Sequence, residues 1–325
     1  MPKTLKRKGI SYAKYGYLFS LPFVLAYAFF MLYPIIYTVI LGFTDLKGAA
    51  ATSWNFLDEP FKNFEKILTN KTFITSLENT FVIWIINFIP QLSLALLLTA
   101  WFTRRTRTIH GQGLFKVMFY LPNIITAATV AILFNSFFGY PVGPVNTLLK
   151  ALGAENFYFT NDKWASKLIV AFIQFWQWYG YTAIVLISGV LGINPTLFES
   201  AEIDGATPAQ IFFKVTLPCM RTILIYTLIT SLIGGLNMFD IPKLFNNGMP
   251  ANATLTASVF IYNQAFSGTY MYNRAAAASM IMFALIAVLS VCVFYLMRDR
   301  YEEKEKRQIR KMERDARKAK GGSLV

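Results

Sequence analysis

Amide and aromatic side chains recur along one apolar stretch, at Gln174, Gln177, Trp178 and Tyr181. The spacing i, i+3, i+4, i+7 places these four side chains on one face of an α-helix. Amide groups donate and accept hydrogen bonds, and aromatic rings stack on the apolar faces of ligand rings. The stripe therefore has the chemistry to bind a polar solute without a covalent step.

A second apolar stretch carries Ser231, Gly234, Gly235 and Met238 on one helical face, with Asn237 beside them. Polar side chains in apolar helices also form hydrogen bonds between helices, each worth about 1 kcal/mol, and small residues are common in helix packing. Both interpretations stay open, and Ser231 and Asn237 are additional candidates for a solute path. Polar side chains in the other apolar stretches are weaker candidates for the path, with a structural role favoured: Asn87, Gln91, Asn123 and Thr126.

Catalytic and metal chemistry have little support in the sequence. The two cysteines, Cys219 and Cys292, lack paired spacing, and His110 is the single histidine, so we expect no disulfide, no metal site and no catalytic triad. The sequence has no Gly-x-x-x-x-Gly-Lys-Ser/Thr motif, which nucleotide hydrolysis by a phosphate-binding loop requires. We therefore expect this chain not to be an enzyme.

The elements that must position the two stripes are membrane helices. The 325 residues are 55% hydrophobic and only 15% charged, whereas a soluble domain carries about a quarter charged residues. A bilayer crossing takes about 20 apolar residues. We predict an all-α integral membrane protein with six transmembrane helices, over residues 17–43, 80–102, 117–138, 168–193, 222–239 and 275–297.

The distribution of basic residues predicts the orientation of these spans. With both termini in the cytoplasm, 22 of the 31 lysines and arginines lie in cytoplasmic segments, which favours an N-in, C-in topology. The net charge of +14 is accordingly interpreted as topogenic rather than as a nucleic-acid-binding surface. This topology places the loop between spans four and five in the cytoplasm.

That loop, residues 195–218, reads as two short helices. Pro195 to Asp204 can form the first helix, Gly205 can break it, and Thr207 before Pro208 is typical of the start of a second. An amphipathic connector on the membrane surface is the alternative, but such connectors carry lysine and arginine on their polar face. The first helix carries only acidic charges, which favours a protein-docking role.

The loop also resembles the EAA loop of ABC-importer permeases. The pattern Glu-Ser-Ala, three residues, Gly, nine residues, Val-x-Leu-Pro is similar to that family's Glu-Ala-Ala, three residues, Gly, nine residues, Ile-x-Leu-Pro. The resemblance implies a coupling helix that docks on a cytoplasmic ATPase through Glu199, with Gly205 as the turn, Ala201 and Ala206 allowing close packing, and Pro218 ending the element. The residues assigned to coupling on this basis are Glu199, Ser200, Ala201, Asp204, Gly205, Ala206, Leu217 and Pro218.

Further segments resemble carbohydrate-uptake permeases, notably Leu21-Pro22-Phe23, Tyr33-Pro34-Ile35 and Leu121-Pro122. The resemblance, to the maltose and glycerol-phosphate permease branch, implies import of a sugar or oligosaccharide, with Tyr181 and Ser231 at positions that touch the sugar. It also implies a bacterial inner-membrane location and partners: a second permease, two ATPase subunits that hold ATP and magnesium, and an extracellular binding protein. We expect no cofactor in this chain and no nucleic-acid partner.

Three alternatives are weighed against this interpretation. The solute can be another polar compound such as glycerol-phosphate. An ion-coupled secondary transporter would place ionisable residues inside its spans, and the six predicted spans contain none. A membrane enzyme would need a set of catalytic groups, and this sequence offers no plausible one. The predicted organisation is a basic N-terminus over residues 1–16, a transmembrane domain over 17–297 and a charged cytoplasmic tail over 298–325.

Overall fold

The structure is a computed structural model that describes residues 13–50, 53–104, 110–268, 270–297 and 312. The predicted N-terminal segment 1–16 and the predicted tail 298–325 therefore lie almost wholly outside the described residues. Within these ranges every regular element is a helix, as the fold-class prediction requires. The chain divides into two compact units: a smaller unit of residues 1–74 and 260–283, and a larger unit of residues 75–259 and 284–325.

In the part of the chain that the structure describes, five helices are long and apolar enough to cross a membrane. They are Lys14–Leu41, Lys71–Phe102, Lys163–Leu191, Arg221–Asn246 and Tyr272–Met297, and we name them spans one, two, four, five and six. Span three is a pair of shorter helices, Gln112–Ile124 and Ala127–Phe137, bent by 89°. The count of six is thus reached only with the bent pair taken as one span.

Shorter helices and local irregularities complete the chain. Span one changes register at a π-helical turn, Ala28–Leu32, between Ala13–Tyr27 and Tyr33–Leu41. The connecting segments contain Lys62–Leu68, Pro144–Ala151, a 3₁₀ turn at Phe159–Asn161, Pro195–Ile203, Pro208–Ile211, a π-helical turn at Phe212–Thr216, Leu217–Cys219 and Ala257–Phe266.

The bend in span three was not predicted, since residues 117–138 read as one continuous span without a charged residue. The chain becomes extended at Ile125 and Thr126, which have ψ angles of 133° and 144°. The hydroxyl of Thr126 accepts a hydrogen bond from the backbone N–H of Thr129, so Thr126 caps a new helix. From span four, Gln177 donates its amide N–H to the Ile125 carbonyl at 3.4 Å and satisfies a backbone group that the break exposes.

Span five also extends beyond its prediction. The predicted span 222–239 ended before Asp240, but a short helix, Asp240–Asn246, continues the same apolar stretch after a break at residues 237–239. The amide of Asn135 in span three donates to the Phe245 carbonyl at 2.8 Å and ties this helix down. Asp240 and Lys243 therefore lie within the stretch Arg221–Asn246, beyond the end of the predicted span.

Two apolar clusters hold the larger unit together. One joins spans two to five through buried side chains that include Ile83, Val130 and Ile173. The other joins spans two, four and five to the loop 195–218 through Leu186, Phe198 and other apolar side chains. The loop is thus packed on the helix bundle and does not hang free of it.

Buried asparagines stabilise the smaller unit. Asn63 donates through its side-chain amide to the carbonyls of Gly42 and Thr44, both at 2.9 Å. Asn273 donates to the Thr44 carbonyl and to the Asn63 side chain, both at 3.3 Å. These bonds satisfy the backbone groups that become free where span one ends.

Candidate functional site

A cavity of about 540 Å³ lies in the larger unit between spans two, three, four and five. All six side chains proposed from the sequence for a solute path line this one cavity: Gln174, Gln177, Trp178, Tyr181, Ser231 and Asn237. Two segments 50 or more residues apart in the chain therefore converge. Convergence of polar and aromatic groups on a concave surface is typical of a ligand site.

Span four contributes the aromatic part of the wall. The rings of Trp178 and Tyr181 meet edge to face, with centroids 5.7 Å apart and planes at 89°. Trp178 is about half exposed, so a ring face is available to a ligand. Gln174 is half-buried in the same wall, whereas Gln177 is buried and its N–H is engaged by the Ile125 carbonyl. Gln177 thus serves the bend of span three as well as the cavity.

Span five contributes a small and polar part of the wall. Asn237 donates its amide N–H to the Ile233 carbonyl at 2.9 Å, which leaves its side-chain oxygen to accept other bonds. A Cβ atom built on Gly234 would meet nothing within 4 Å, so this glycine faces open space in the cavity. The Tyr226 side chain interacts with that of Tyr181 and adds a second phenol to the wall.

Several lining residues were missed or undervalued by sequence reasoning. Trp84 in span two was not considered, although it shares a helical face with Asn87 and Gln91, which were weaker candidates with a structural role favoured. Asn87 bonds to the Ile83 carbonyl, and Gln91 donates to the Thr182 hydroxyl at 2.8 Å, so both fill structural roles and also line the cavity. The i, i+3, i+7 spacing of these three residues was the signal that could have found them.

Gly235 explains how the indole of Trp84 reaches this wall. A Cβ atom at Gly235 would lie 1.9 Å from the Trp84 Cδ1 atom, a distance that no side chain permits. Glycine here is therefore required by a close helix contact and not by flexibility. Its neighbour Gly234 differs, because it is open to the cavity.

The loop 195–218 forms two helices, as Gly205, Thr207 and Pro208 predict. The first helix runs Pro195–Ile203, and the Asn194 side chain caps it by accepting from the Thr196 N–H at 3.1 Å. Gly205 follows with a φ of +76°, in the left-handed region. Glu199, Ser200, Asp204 and Gly205 are exposed along this turn.

The second helix begins with a capping box. The hydroxyl of Thr207 accepts from the Gln210 N–H at 3.3 Å, and the Gln210 side chain accepts from the Thr207 N–H at 2.8 Å. Pro208 occupies the first turn, as predicted. Apolar packing on one side comes from Ile211 and Val215, which join the cluster around Phe198.

The helix ends at Cys219, one residue beyond the predicted end at Pro218. The chain passes through a π-helical turn, Phe212–Thr216, and continues as Leu217–Cys219 until Met220 leaves the helical conformation. In the wider turn the Leu217 N–H bonds to the Phe212 carbonyl, five residues back. A proline lacks an N–H, and the shifted bonding pattern allows Pro218 to stand near the start of the next helical turn.

The small residues of the loop divide between two environments. Ser200 is exposed, and its hydroxyl donates a hydrogen bond to the Thr196 carbonyl at 2.9 Å. Ala201 is half-buried, and Ala206 and Leu217 line an apolar groove of about 600 Å³ between the loop and span two. The first helix thus exposes an acidic side, with Glu199, Glu202 and Asp204.

Comparisons with known proteins agree with this architecture. The family described as "Binding-protein-dependent transport system inner membrane component" matches residues 79–307. The chain is 31% identical over 290 residues to the lactose transport system permease protein LacF of Rhizobium radiobacter, covering 88% of this chain and 94% of that one. It is 28% identical to the arabinooligosaccharides transport system permease protein AraP of Bacillus subtilis, covering 90% and 92%.

A solved structure shares the fold. It is a bacterial alginate ABC transporter in complex with an alginate-pentasaccharide-bound periplasmic protein, matched with a TM-score of 0.74 and 24% identity over 90% of this chain and 96% of that one. At this identity the likeness establishes the arrangement of helices alone. Together with the family match over most of the chain, the helical fold and the loop 195–218 lead to one conclusion: the chain belongs to the binding-protein-dependent transport system inner membrane components, the permeases of ABC importers.

Proposed function

We propose that this permease passes a sugar or oligosaccharide across the inner membrane after an extracellular binding protein delivers it. The observation that carries the proposal is the cavity in which Gln174, Trp178, Tyr181 and Asn237 meet. Amides bond to sugar hydroxyls, and aromatic rings stack on the apolar faces of sugar rings. The sugar-transport names of LacF and AraP support the same solute class.

Energy for transport comes, in this proposal, from two ATPase subunits on the cytoplasmic side, which hold ATP and magnesium, while this chain holds no cofactor. Glu199 and the neighbouring exposed residues of the first loop helix form the contact with one ATPase. A second, homologous permease completes the path. The capped and packed loop supports this role, because docking needs an element whose shape is fixed before the partner binds.

The test of this function is uptake by the complete transporter in proteoliposomes. Lactose and arabino-oligosaccharides, supplied with the cognate binding protein and internal ATP, are the first solutes to measure. Accumulation that requires both the binding protein and ATP supports the proposal. If no saccharide in a panel of mono- and oligosaccharides is accumulated while a non-sugar solute is, the solute class is wrong.

Tyr181→Ala is expected to lower sugar uptake about tenfold at equal amounts of assembled transporter. The substitution removes a ring from the cavity wall and the partner of Trp178, a loss of about 1 kcal/mol or somewhat more. Initial uptake rates against sugar concentration give the measurement.

Tyr17→Ala is the matched control, because Tyr17 is a strongly exposed tyrosine of span one. Tyr181→Phe keeps the ring and should retain most of the uptake if stacking dominates. Unchanged uptake in Tyr181→Ala would contradict the assignment of this cavity to the solute path.

A further inference from the structure

Asp240 is the one charged residue that lines the cavity among the residues that the structure describes. The remaining lining side chains are amides, hydroxyls, aromatic rings and apolar groups, and none of them is a lysine, arginine or histidine. Sequence reasoning placed Asp240 outside the spans, as the residue that closes span five. Its position in the wall therefore gives the cavity a negative charge that was not expected.

The helix that carries Asp240 is held firmly in place. Asp240 stands in the first turn of Asp240–Asn246, while Ile241 and Phe245 of the same helix are buried in the core cluster of spans two to five. The bond from Asn135 to the Phe245 carbonyl fixes the other end. Asp240 itself is exposed and lines the cavity, beside the buried Ile241, which also lines it.

Among the residues that the structure describes, no base lines the wall together with Asp240. Lys243 lies one turn further along the helix and is not a lining residue. A carboxylate that faces a solute in a confined, partly apolar space interacts with the charge of that solute more strongly than it would in bulk water.

We propose that Asp240 selects the solute by charge, so that this permease passes uncharged saccharides and rejects acidic ones such as uronates and sugar phosphates. This inference rests on the proposed transport of sugars and narrows it to one class. The Asp240 carboxylate accepts charge-assisted hydrogen bonds from the hydroxyls of a neutral sugar. It repels a carboxylate or phosphate on the solute, because juxtaposed like charges are strongly unfavourable. The glycerol-phosphate alternative is disfavoured for the same reason.

The test compares a neutral oligosaccharide with the same oligosaccharide oxidised to the uronate at one primary alcohol. The complete transporter is reconstituted in proteoliposomes, and each uptake rate is divided by the occupancy of the binding protein with that solute. This normalisation separates selection in the membrane from selection by the binding protein. We expect wild-type uptake of the uronate to be at least about tenfold slower than that of its neutral parent.

The variants isolate the charge of Asp240. Asp240→Asn should bring the neutral-to-uronate ratio close to one, whereas Asp240→Glu, which keeps the charge, should preserve the discrimination. Asp58→Asn removes an equivalent charge at an exposed position that does not line the cavity, and it should leave the ratio unchanged.

Equal normalised uptake of both solutes by the wild type would overturn the inference while sugar transport stands. An unchanged ratio in an assembled Asp240→Asn transporter would also overturn it. Absence of uptake for every saccharide, with retained uptake of a different solute class, would overturn both the inference and the sugar-transport proposal.

Discussion

Gly205→Val is expected to abolish solute uptake while the protein remains in the membrane. Gly205 joins the two loop helices with a φ of +76°, and a β-branched residue is strongly disfavoured in that region. Nothing lies within 4 Å of a Cβ atom at this position, so the effect acts through the backbone turn and not through a clash. The measurements are uptake in proteoliposomes and co-purification of the ATPase subunits.

Two controls separate loss of the turn from general strain. Gly153→Val introduces the same residue at another open glycine with positive φ, +81°, outside the loop, and should leave uptake largely intact. Gly205→Asn places a residue that tolerates the left-handed conformation and should reduce uptake far less than valine does. Normal uptake and normal ATPase co-purification in Gly205→Val, or in Glu199→Lys, would contradict the docking role of the loop.

Gly180→Ala is expected to prevent stable folding of the larger unit. A Cβ atom at Gly180 would lie 1.7 Å from the Phe119 carbonyl oxygen and 2.4 Å from its carbonyl carbon. The obstacle is backbone, which no rotamer change can relieve, so spans three and four must separate. The cost should reach or exceed the upper end of the about 1–3 kcal/mol range of overpacked cores. Thermal unfolding of the detergent-solubilised protein gives the measurement.

Gly113→Ala is the appropriate comparison, because Gly113 lies in the first half of span three and a Cβ there meets nothing within 4 Å. It should leave the unfolding temperature unchanged and can raise it slightly, since alanine is the better helix former. A Gly180→Ala protein that unfolds at the wild-type temperature would show that spans three and four are less closely packed than described.

The parts of the fold that sequence predicted well are those governed by local chemistry. Five of the six spans follow from apolar runs long enough to cross a bilayer. The loop 195–218 was predictable because Thr207, Pro208 and Gly205 determine the backbone conformation within one or two helical turns of their own positions. The span-four stripe was predictable because helical spacing alone decides that Gln174, Trp178 and Tyr181 share a face.

The parts that were missed depend on tertiary contacts. The bend at Ile125 and Thr126 is stabilised by Gln177 from another helix, a contact that the local sequence does not show, although Thr126 is itself a local helix cap. The charge of Asp240 predicted the end of span five. In the structure a further helix, Asp240–Asn246, follows after a short break, and the burial of Ile241 and Phe245 stabilises it. The helix predicted to end at Pro218 ends one residue later, and the π-helical turn before Pro218 accommodates the missing N–H.

The close approach of spans four and five has a mechanical consequence. A Cβ atom at Gly189 would lie 2.9 Å from the Ile223 side chain, so the two spans touch near the ends that the loop 195–218 connects. Tyr181 stands only eight residues, about 12 Å, further along span four. Because the two spans are in contact at this point, we expect a movement of the loop to be passed to both of them. We expect this movement to reach Tyr181 and Ser231 and to change the shape of the cavity wall that they line.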